Sequence, residues 1–314
     1  MTDIPYLSAD DLANLDITTR DVIDCIERAI RGADNGTVWS APKAVIMPPA
    51  DDRYMMAALA AMDGPSLLAV KTVVLNPENS AKGLPQINGL VTMLDSDTGL
   101  PVAILDGNWI TAVRTAGLSA VAAKYLAIED AETIGFVGCG VQARSHLSAF
   151  AEMFPLKHMK LFGRGHANKD ALASLARDLG LSVEECETGQ QAVDDVDLVV
   201  TSITLTGGPD PFLDASQMKP SAFAAITDLG VPWHKDSFGA LDQVIIDDVA
   251  QEAALPNKLC DPSMIAGDLS GLVLGKCDRR SSPDDRAAFL FRGHALGDLA
   301  LSVLALQTHL GSRA

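Results

Sequence analysis

Four features of this 314-residue chain combine residue type and spacing in ways that chemistry can use. The first is Gly138-Cys139-Gly140-Val141-Gln142-Ala143, a G-x-G-x-x-A pattern that follows the apolar run Ile134-Gly135-Phe136-Val137 and opens a helical stretch. In such a turn the first glycine takes a backbone geometry that a Cβ would obstruct. The second lets the chain approach a diphosphate, and the third small residue lets helix and strand pack closely. The free N–H groups and positive dipole end of the helix then face the phosphates. The other three features are single charges in apolar settings: Lys71 inside residues 67–75, Arg114 in Thr111-Ala112-Val113-Arg114-Thr115-Ala116, and Asp228 closing residues 222–227. A buried ammonium and a guanidinium grip a carboxylate, the guanidinium in bidentate fashion. A carboxyl group at the carboxyl end of a strand is placed to move a proton. The plainer alternatives are a solvent-facing lysine for Lys71 and a loop or helix-capping aspartate for Asp228.

The residues after the second strand of the dinucleotide unit bear on the cofactor. Sites for NAD usually carry an acid there, about 20 residues past the glycines, to hold the ribose 2′-hydroxyl. Here Met159-Lys160-Leu161-Phe162 runs into Gly163-Arg164-Gly165-His166 without one. Arg164 is placed to pair with a 2′-phosphate, so NADPH is favoured over NADH, with a solvated loop cation as the alternative role for Arg164.

These side chains need elements to hold them. Residues 8–33 read as a helix with a Ser cap and apolar residues at Val22, Ile23, Cys25, Ile26 and Ile30. Short strands follow at 43–47, 53–58 and 67–75, then an Asn/Pro/Gly-rich loop over 76–85. A strand pair at 89–94 and 100–105 is joined by the turn Asp95-Ser96-Asp97-Thr98-Gly99. Residues 111–127 form a small-residue helix bridging two domains. Strand and helix then alternate through 133–203, with further apolar strands at 222–227 and 243–246. This pattern predicts an α/β architecture: a Rossmann-type doubly wound parallel sheet beside a mixed α+β domain. The Ala- and Leu-rich stretch 284–310 reads as helix throughout.

Composition narrows the remaining function classes. A net charge of −17 without a run of Lys and Arg argues against nucleic acid and anionic lipid partners. No apolar run approaches the roughly 20 residues of a membrane span. The first ten residues lack the basic region of a signal peptide. The five cysteines (25, 139, 186, 260 and 277) are scattered and unpaired in sequence, which fits a reducing, cytoplasmic setting. The six histidines show no ligand spacing, so no metal is expected. His146, one turn past the glycine loop, is read as packing or capping rather than reacting; His234 and His294 could border the cleft, although a lone histidine is more often structural.

With these residues in view, the chain resembles the ornithine cyclodeaminase/μ-crystallin family. The resemblance runs through Val70-Lys71, Asn76-Pro77-Glu78-Asn79, Gly83-Leu84-Pro85, Asp97-Thr98-Gly99-Leu100-Pro101 and Leu105-Asp106-Gly107. It continues through Thr111 to Ala116, Ala123-Lys124-Tyr125-Leu126-Ala127, the phosphate loop with Gln142-Ala143 and His146, Gly267-Asp268-Leu269 and Gly297-Asp298-Leu299. It implies a discontinuous substrate and dimerisation domain, residues 1–115 plus 293–314, around a dinucleotide domain, 116–292. It implies a homodimer, with Lys71 and Arg114 as carboxylate binders and Asp228 as the catalytic aspartate, Lys71 sharing that catalytic role. Lys43 stands where the family has an arginine after proline, a point charge replacing a planar fork, and Arg53 is a possible compensating cation. The stretch Leu229-Gly230-Val231-Pro232-Trp233-His234 departs from the more polar family segment. The cofactor set expected is Gly138, Gly140, Val141, Gln142, Ala143, Arg164, Thr115 and Thr201.

The chemistry shared by the family's enzymes is hydride exchange between nicotinamide and the α-carbon of an amino or imino acid. The leading expectation is an NAD(P)H-dependent reductase of a small α-imino acid, a ketimine such as pyrroline-2-carboxylate, or equivalently an amino-acid dehydrogenase. An ornithine cyclodeaminase-like lyase with recycled NAD is the alternative. A non-catalytic, crystallin-like NADPH-binding protein is the third.

Overall fold

The computed structural model describes residues 4–49, 51–204 and 210–312, and the chain divides into two compact units. One is discontinuous: it runs to Arg114 and resumes at His294. The other is continuous, Thr115–Gly293.

In the discontinuous unit the chain begins with β1 (Tyr6–Leu7), α1 (Ala9–Ala13) and α2 (Thr19–Asp34). The single helix expected over 8–33 is thus two. Ser8 and Thr18 each open a helix with a capping box, closed by Asp11 and Asp21 respectively. Between them Asp16 adopts a φ of +51°, which no helix continues through. The strands β2 (Val38–Ser40), β3 (Ala44–Ile46), β4 (Tyr54–Met62), β5 (Leu67–Leu75), β6 (Ile87–Asp95) and β7 (Pro101–Asp106) follow. They form a mixed sheet in the order β1-β7-β6-β5-β4-β2, with β3 also on β4. Beta4 through β7 are antiparallel neighbours, and β1 joins β7 in parallel. In β5, Leu67, Ala69, Lys71 and Val73 alternate onto the buried face.

Helix α3 (Gly107–Leu126) contains the boundary between the units. The continuous unit then runs β8 (Thr133–Val137), α4 (Val141–Met153), β9 (His158–Phe162), α5 (His166–Asp178), β10 (Ser182–Glu185), α6 (Gly189–Val193), β11 (Leu198–Thr201) and β12 (Phe223–Ile226). Beta13 (Gln243–Ile246), α7 (Val249–Ala254), β14 (Ile265–Asp268), α8 (Leu269–Leu274) and β15 (Ala287–Leu290) complete it. The eight strands lie in the order β10-β9-β8-β11-β12-β15-β13-β14, and every pairing is parallel. The chain moves outward from β8 to β10 and returns on the other side at β11. The β8/β11 boundary is therefore the switch point where such sheets bind ligands.

The segment 284–310 is not all helix. Beta15 fills the gap between β12 and β13, and only then does α9 (Ala295–Gly311) begin. All four residues of β15 are buried, so its sequence carries no alternation to separate it from a buried helix. In the discontinuous unit α9 packs on α2, β4 and β5, laying its first turn over the strand that carries Lys71.

Candidate active site

The dinucleotide-type turn forms as its residues dictate. Gly138 has a φ of +91°, and a Cβ there would meet the Ser202 carbonyl oxygen at 2.6 Å. At Gly140 a Cβ would meet nothing within 4 Å, so this glycine leaves open space where a ligand's backbone can approach. Gly140 caps α4 without a side-chain hydrogen bond, leaving the first N–H groups of the helix for an anion. Ala143 is fully buried where helix meets strand. Beside the turn lies a cavity of about 430 Å³ whose walls include Gly138, Gly140, Phe162, Arg164, Asn168 and Ile203. Its volume, its glycine floor and the free helix terminus fit a dinucleotide.

Arg164 lines this cavity, and no acid follows β9. The nearby carboxylate of Glu185, on β10, is held by Lys169 at 2.8 Å. Arg144, in the first turn of α4, donates from Nη1 to the Cys139 carbonyl at 3.3 Å, placing a second guanidinium at the loop. His146, a turn beyond the loop, is buried and held between the Gln142 carbonyl (2.7 Å) and the Ser119 hydroxyl (2.9 Å). Burial pushes its pKa down to about 4, so it sits there as a neutral ring that ties α4 to α3.

Asp228 follows β12 and is 1% exposed. Its Oδ1 accepts from the Thr201 hydroxyl at 3.0 Å, and its Oδ2 from the N–H of Ile203 at 3.1 Å. Burial raises its pKa to about 6, and these hydrogen bonds oppose the rise. The next residue, Leu229, has a φ of +58°, unusual for a side chain that is not glycine.

The discontinuous unit contains a charge cluster of its own. Lys71 is 1% exposed, and its Nζ lies 2.6 Å from Asp298 Oδ1 and 3.2 Å from Thr111 Oγ1. Arg114 Nε forms an ion pair with the same Asp298 oxygen at 2.9 Å. Burial and the neighbouring Arg114 charge lower the Lys71 pKa to about 8, against the pull of Asp298. Lys43, half-buried ahead of β3, adds a third positive charge felt at Lys71. Lys71 and Arg114 thus meet at one buried carboxylate, with the charge of Lys43 felt at Lys71. Arg53 does not join them: it is exposed and bound to Asp51.

Thus Lys43, Lys71 and Arg114 gather in one unit, while Gly138, Gly140, Val141, Gln142, Ala143 and Arg164 gather at the turn and cavity of the other. Thr115 is buried within α3. Thr201, expected at the cofactor, directs its hydroxyl to Asp228, while the next three residues line the cavity. Sequence reasoning left Asp298 without a role, although its place in Gly297-Asp298-Leu299 was marked. An acid in the first turn of an otherwise apolar helix was the available signal. His294 caps that helix, accepting from the Leu296 N–H at 3.1 Å. Among the described residues no cluster of three or more His, Cys, Asp or Glu is arranged to hold a metal, and no helix is long and apolar enough to cross a membrane.

A doubly wound parallel sheet with a G-x-G-x-x-A turn at its switch point, in one chain with a buried cluster of Lys71, Arg114 and Asp298, defines a nicotinamide-dinucleotide enzyme of the Rossmann class. A family model for the ornithine cyclodeaminase/mu-crystallin family matches residues 7–229, and the chain belongs to that family. It is 29% identical to the nodulation efficiency protein NfeD of Rhizobium meliloti, over 95% of this chain and 93% of that one. It is 29% identical to ketimine reductase mu-crystallin of Rattus norvegicus, over 80% of this chain and 79% of that one. Its fold matches the Thermococcus litoralis Δ1-pyrroline-2-carboxylate reductase, solved with NADH and L-proline, at a TM-score of 0.88 and 24% identity, covering 99% of each chain.

Proposed function

We propose that this protein is an NAD(P)H-dependent reductase of a small α-imino acid, a cyclic ketimine of the pyrroline-2-carboxylate kind, working equivalently as an amino-acid dehydrogenase in reverse. The observation that carries this reading is the Lys71–Asp298–Arg114 cluster, which brings together at one buried point an ammonium and a guanidinium, the two groups best suited to a carboxylate. The name and activity of the rat relative support the same chemistry.

In this reading the discontinuous unit, residues 1–115 with 293–314, grips the acid, and residues 116–292 hold the cofactor. Bound nicotinamide dinucleotide supplies or accepts a hydride at the substrate's α-carbon. Lys71 and Arg114 hold the carboxylate and fix that carbon's position. Lys43 adds attraction without a bidentate grip. Asp228, poised near pH 6, gives the imine nitrogen its proton in reduction and takes it back in oxidation. Gly138, Gly140 and the N–H groups of Val141, Gln142 and Ala143 receive the diphosphate. Arg164 favours NADPH by pairing with its 2′-phosphate, NADH being the weaker cofactor.

The protein works as a homodimer in the cytoplasm. One face of the mixed sheet carries a groove of about 680 Å³ lined by apolar residues of β3, β4, β5 and β6. Ile46, 65% exposed, is part of its wall, and the groove is a patch that a second copy would cover. The described cysteines are all free thiols, as suits a reducing compartment.

A panel of imino and amino acids run with NADPH and NADH is the direct test. Net NADPH oxidation by a cyclic ketimine is the expected result. Ammonia release from ornithine with no net change in cofactor would replace this reading with the lyase.

A further inference from the structure

The segment Leu229–His234 follows Asp228 directly, and one residue in it reaches the proton-handling carboxylate through an intermediary. Trp233 is fully buried and packs at a tilt against Phe238, with ring centroids 6.1 Å apart. Its backbone is pinned: its N–H donates to the Gly230 carbonyl at 3.1 Å, while the adjacent Pro232 carbonyl accepts from Phe212 and Leu213, each at 2.8 Å. A buried indole carries one N–H and no acceptor, so that donor needs a partner. It finds Thr201 Oγ1 at 3.3 Å. The same hydroxyl lies 3.0 Å from Asp228 Oδ1. With the indole donating to its oxygen, the one proton of Thr201 is directed onto Asp228.

We infer that Trp233 and Thr201 form a one-way hydrogen-bond relay that fixes the orientation of Asp228 and supports its ionised form. Both are positioning residues, a role that rests on the reading of Asp228 as the proton-handling group. Trp233 determines which way the threonine hydroxyl points. Thr201 delivers a donor to Oδ1, while the Ile203 N–H serves Oδ2 from the loop that walls the cofactor cavity. The relay leaves the carboxyl group fixed in a plane, with its remaining lone pairs for the substrate's proton.

The charged groups on the neighbouring elements are engaged elsewhere. Arg292, beyond β15, pairs with Glu252. Asp247, after β13, accepts from the N–H groups of Arg292 and Gly293. His234 is exposed, and Lys235 donates to the Lys258 carbonyl. The hydroxyl relay and the backbone N–H groups are thus the groups that act on Asp228 directly.

The experiment compares T201V, T201S, W233F and D228N in the full-length protein. It reads kcat against pH, the NADPH dissociation constant and the far-ultraviolet circular dichroism. T201V removes the donor to Oδ1 and raises the apparent pKa governing kcat by about one pH unit. T201S restores the wild-type midpoint. W233F, which keeps an aromatic ring in the core but frees the threonine hydroxyl, moves the midpoint in the same direction by a smaller amount. NADPH affinity stays within about twofold in all three. If folded T201V keeps the wild-type midpoint while D228N abolishes turnover, the relay is refuted and Asp228 retains its role. If D228N keeps wild-type turnover and pH dependence, the assignment of Asp228 itself is wrong. T201V is close to isosteric, so the test does not depend on W233F folding.

Discussion

Lys71 Nζ and Asp298 Oδ1 lie 2.6 Å apart across a sequence separation of 227 residues. Asp298 also takes Arg114, so one buried carboxylate holds both cations proposed to grip the substrate. Removing it leaves two buried positive charges without that counterion. D298A is expected to lose about 3–5 kcal/mol of stability, seen as a fall in the thermal midpoint, whereas K71A loses less. K71A is expected instead to lower kcat/KM for the acid substrate by about 30- to 1000-fold. Unchanged kinetics in K71A would remove the carboxylate-grip assignment.

If Lys71 grips the acid as proposed, the same lysine sets a pH limit on affinity. Its pKa is lowered to about 8, so the ammonium is present below that value and is lost above it. KM for the substrate is predicted to rise about tenfold per pH unit beyond pH 8. Steady-state kinetics from pH 6.5 to 9.5 check this, and a KM that stays flat to pH 9.5 contradicts it.

Asp228 gives a second titration with the opposite structural sense. Its folded-state pKa, about 6, lies above the ordinary 3.8, so the native protein binds this proton before the unfolded chain does. The burial cost of the charged form is therefore full above about pH 6 and fades as pH falls toward 4. Relative to D228N, the wild type should gain about 3 kcal/mol of stability across that window. With Asp228 as the proposed proton-handling group, reduction needs its protonated form and should decline above pH 6, while oxidation needs the carboxylate and should rise through the same pH. Urea denaturation of both proteins at pH 4.5 and 7.5, with rates in both directions, separates these effects.

The two loop glycines should fail differently. G138A forces a side chain against the Ser202 carbonyl from a φ of +91°, so it should lose both stability and cofactor affinity. G140A meets open space, so its thermal midpoint should stay near wild type while NADPH binding weakens by tenfold or more. Equal NADPH binding by G140A and wild type would argue against the diphosphate lying on that glycine.

In the proposed reading, cofactor choice rests on Arg164. R164A is expected to raise the KM for NADPH by about 10- to 100-fold, with little change for NADH. A parallel loss for both cofactors would place the arginine away from the 2′-phosphate.

The assembly prediction concerns the exposed apolar face of the mixed sheet. I46R places a charge at its edge and should shift the protein from dimer to monomer in light scattering. Wild-type protein that sedimented as a monomer at micromolar concentration would rule out the dimer outright.

Much of this was legible in the amino-acid order because its causes are local. A glycine turn between an apolar strand and a helix needs only its own residues and their immediate neighbours to be recognised. The same holds for the cation at position 71 inside an alternating strand, and for the missing acid after Phe162. Strand β15 escaped because a short Ala- and Phe-containing run, buried on both faces, has no period that distinguishes it from the helix that follows. The break at Asp16 was hidden in a stretch where two capping boxes adjoin and the apolar pattern runs past both.

What tertiary structure alone decided is which partner each buried polar group meets. Composition and periodicity determined the parallel sheet, the glycine turn between strand and helix, and the charges set in apolar segments. They could not pair Lys71 with Asp298, or direct Thr201 toward Asp228 rather than toward the cofactor. Hydrophobic burial is non-directional and leaves its mark along the chain as a repeat. A hydrogen bond or ion pair depends on distance and angle between groups that only the packed fold brings together.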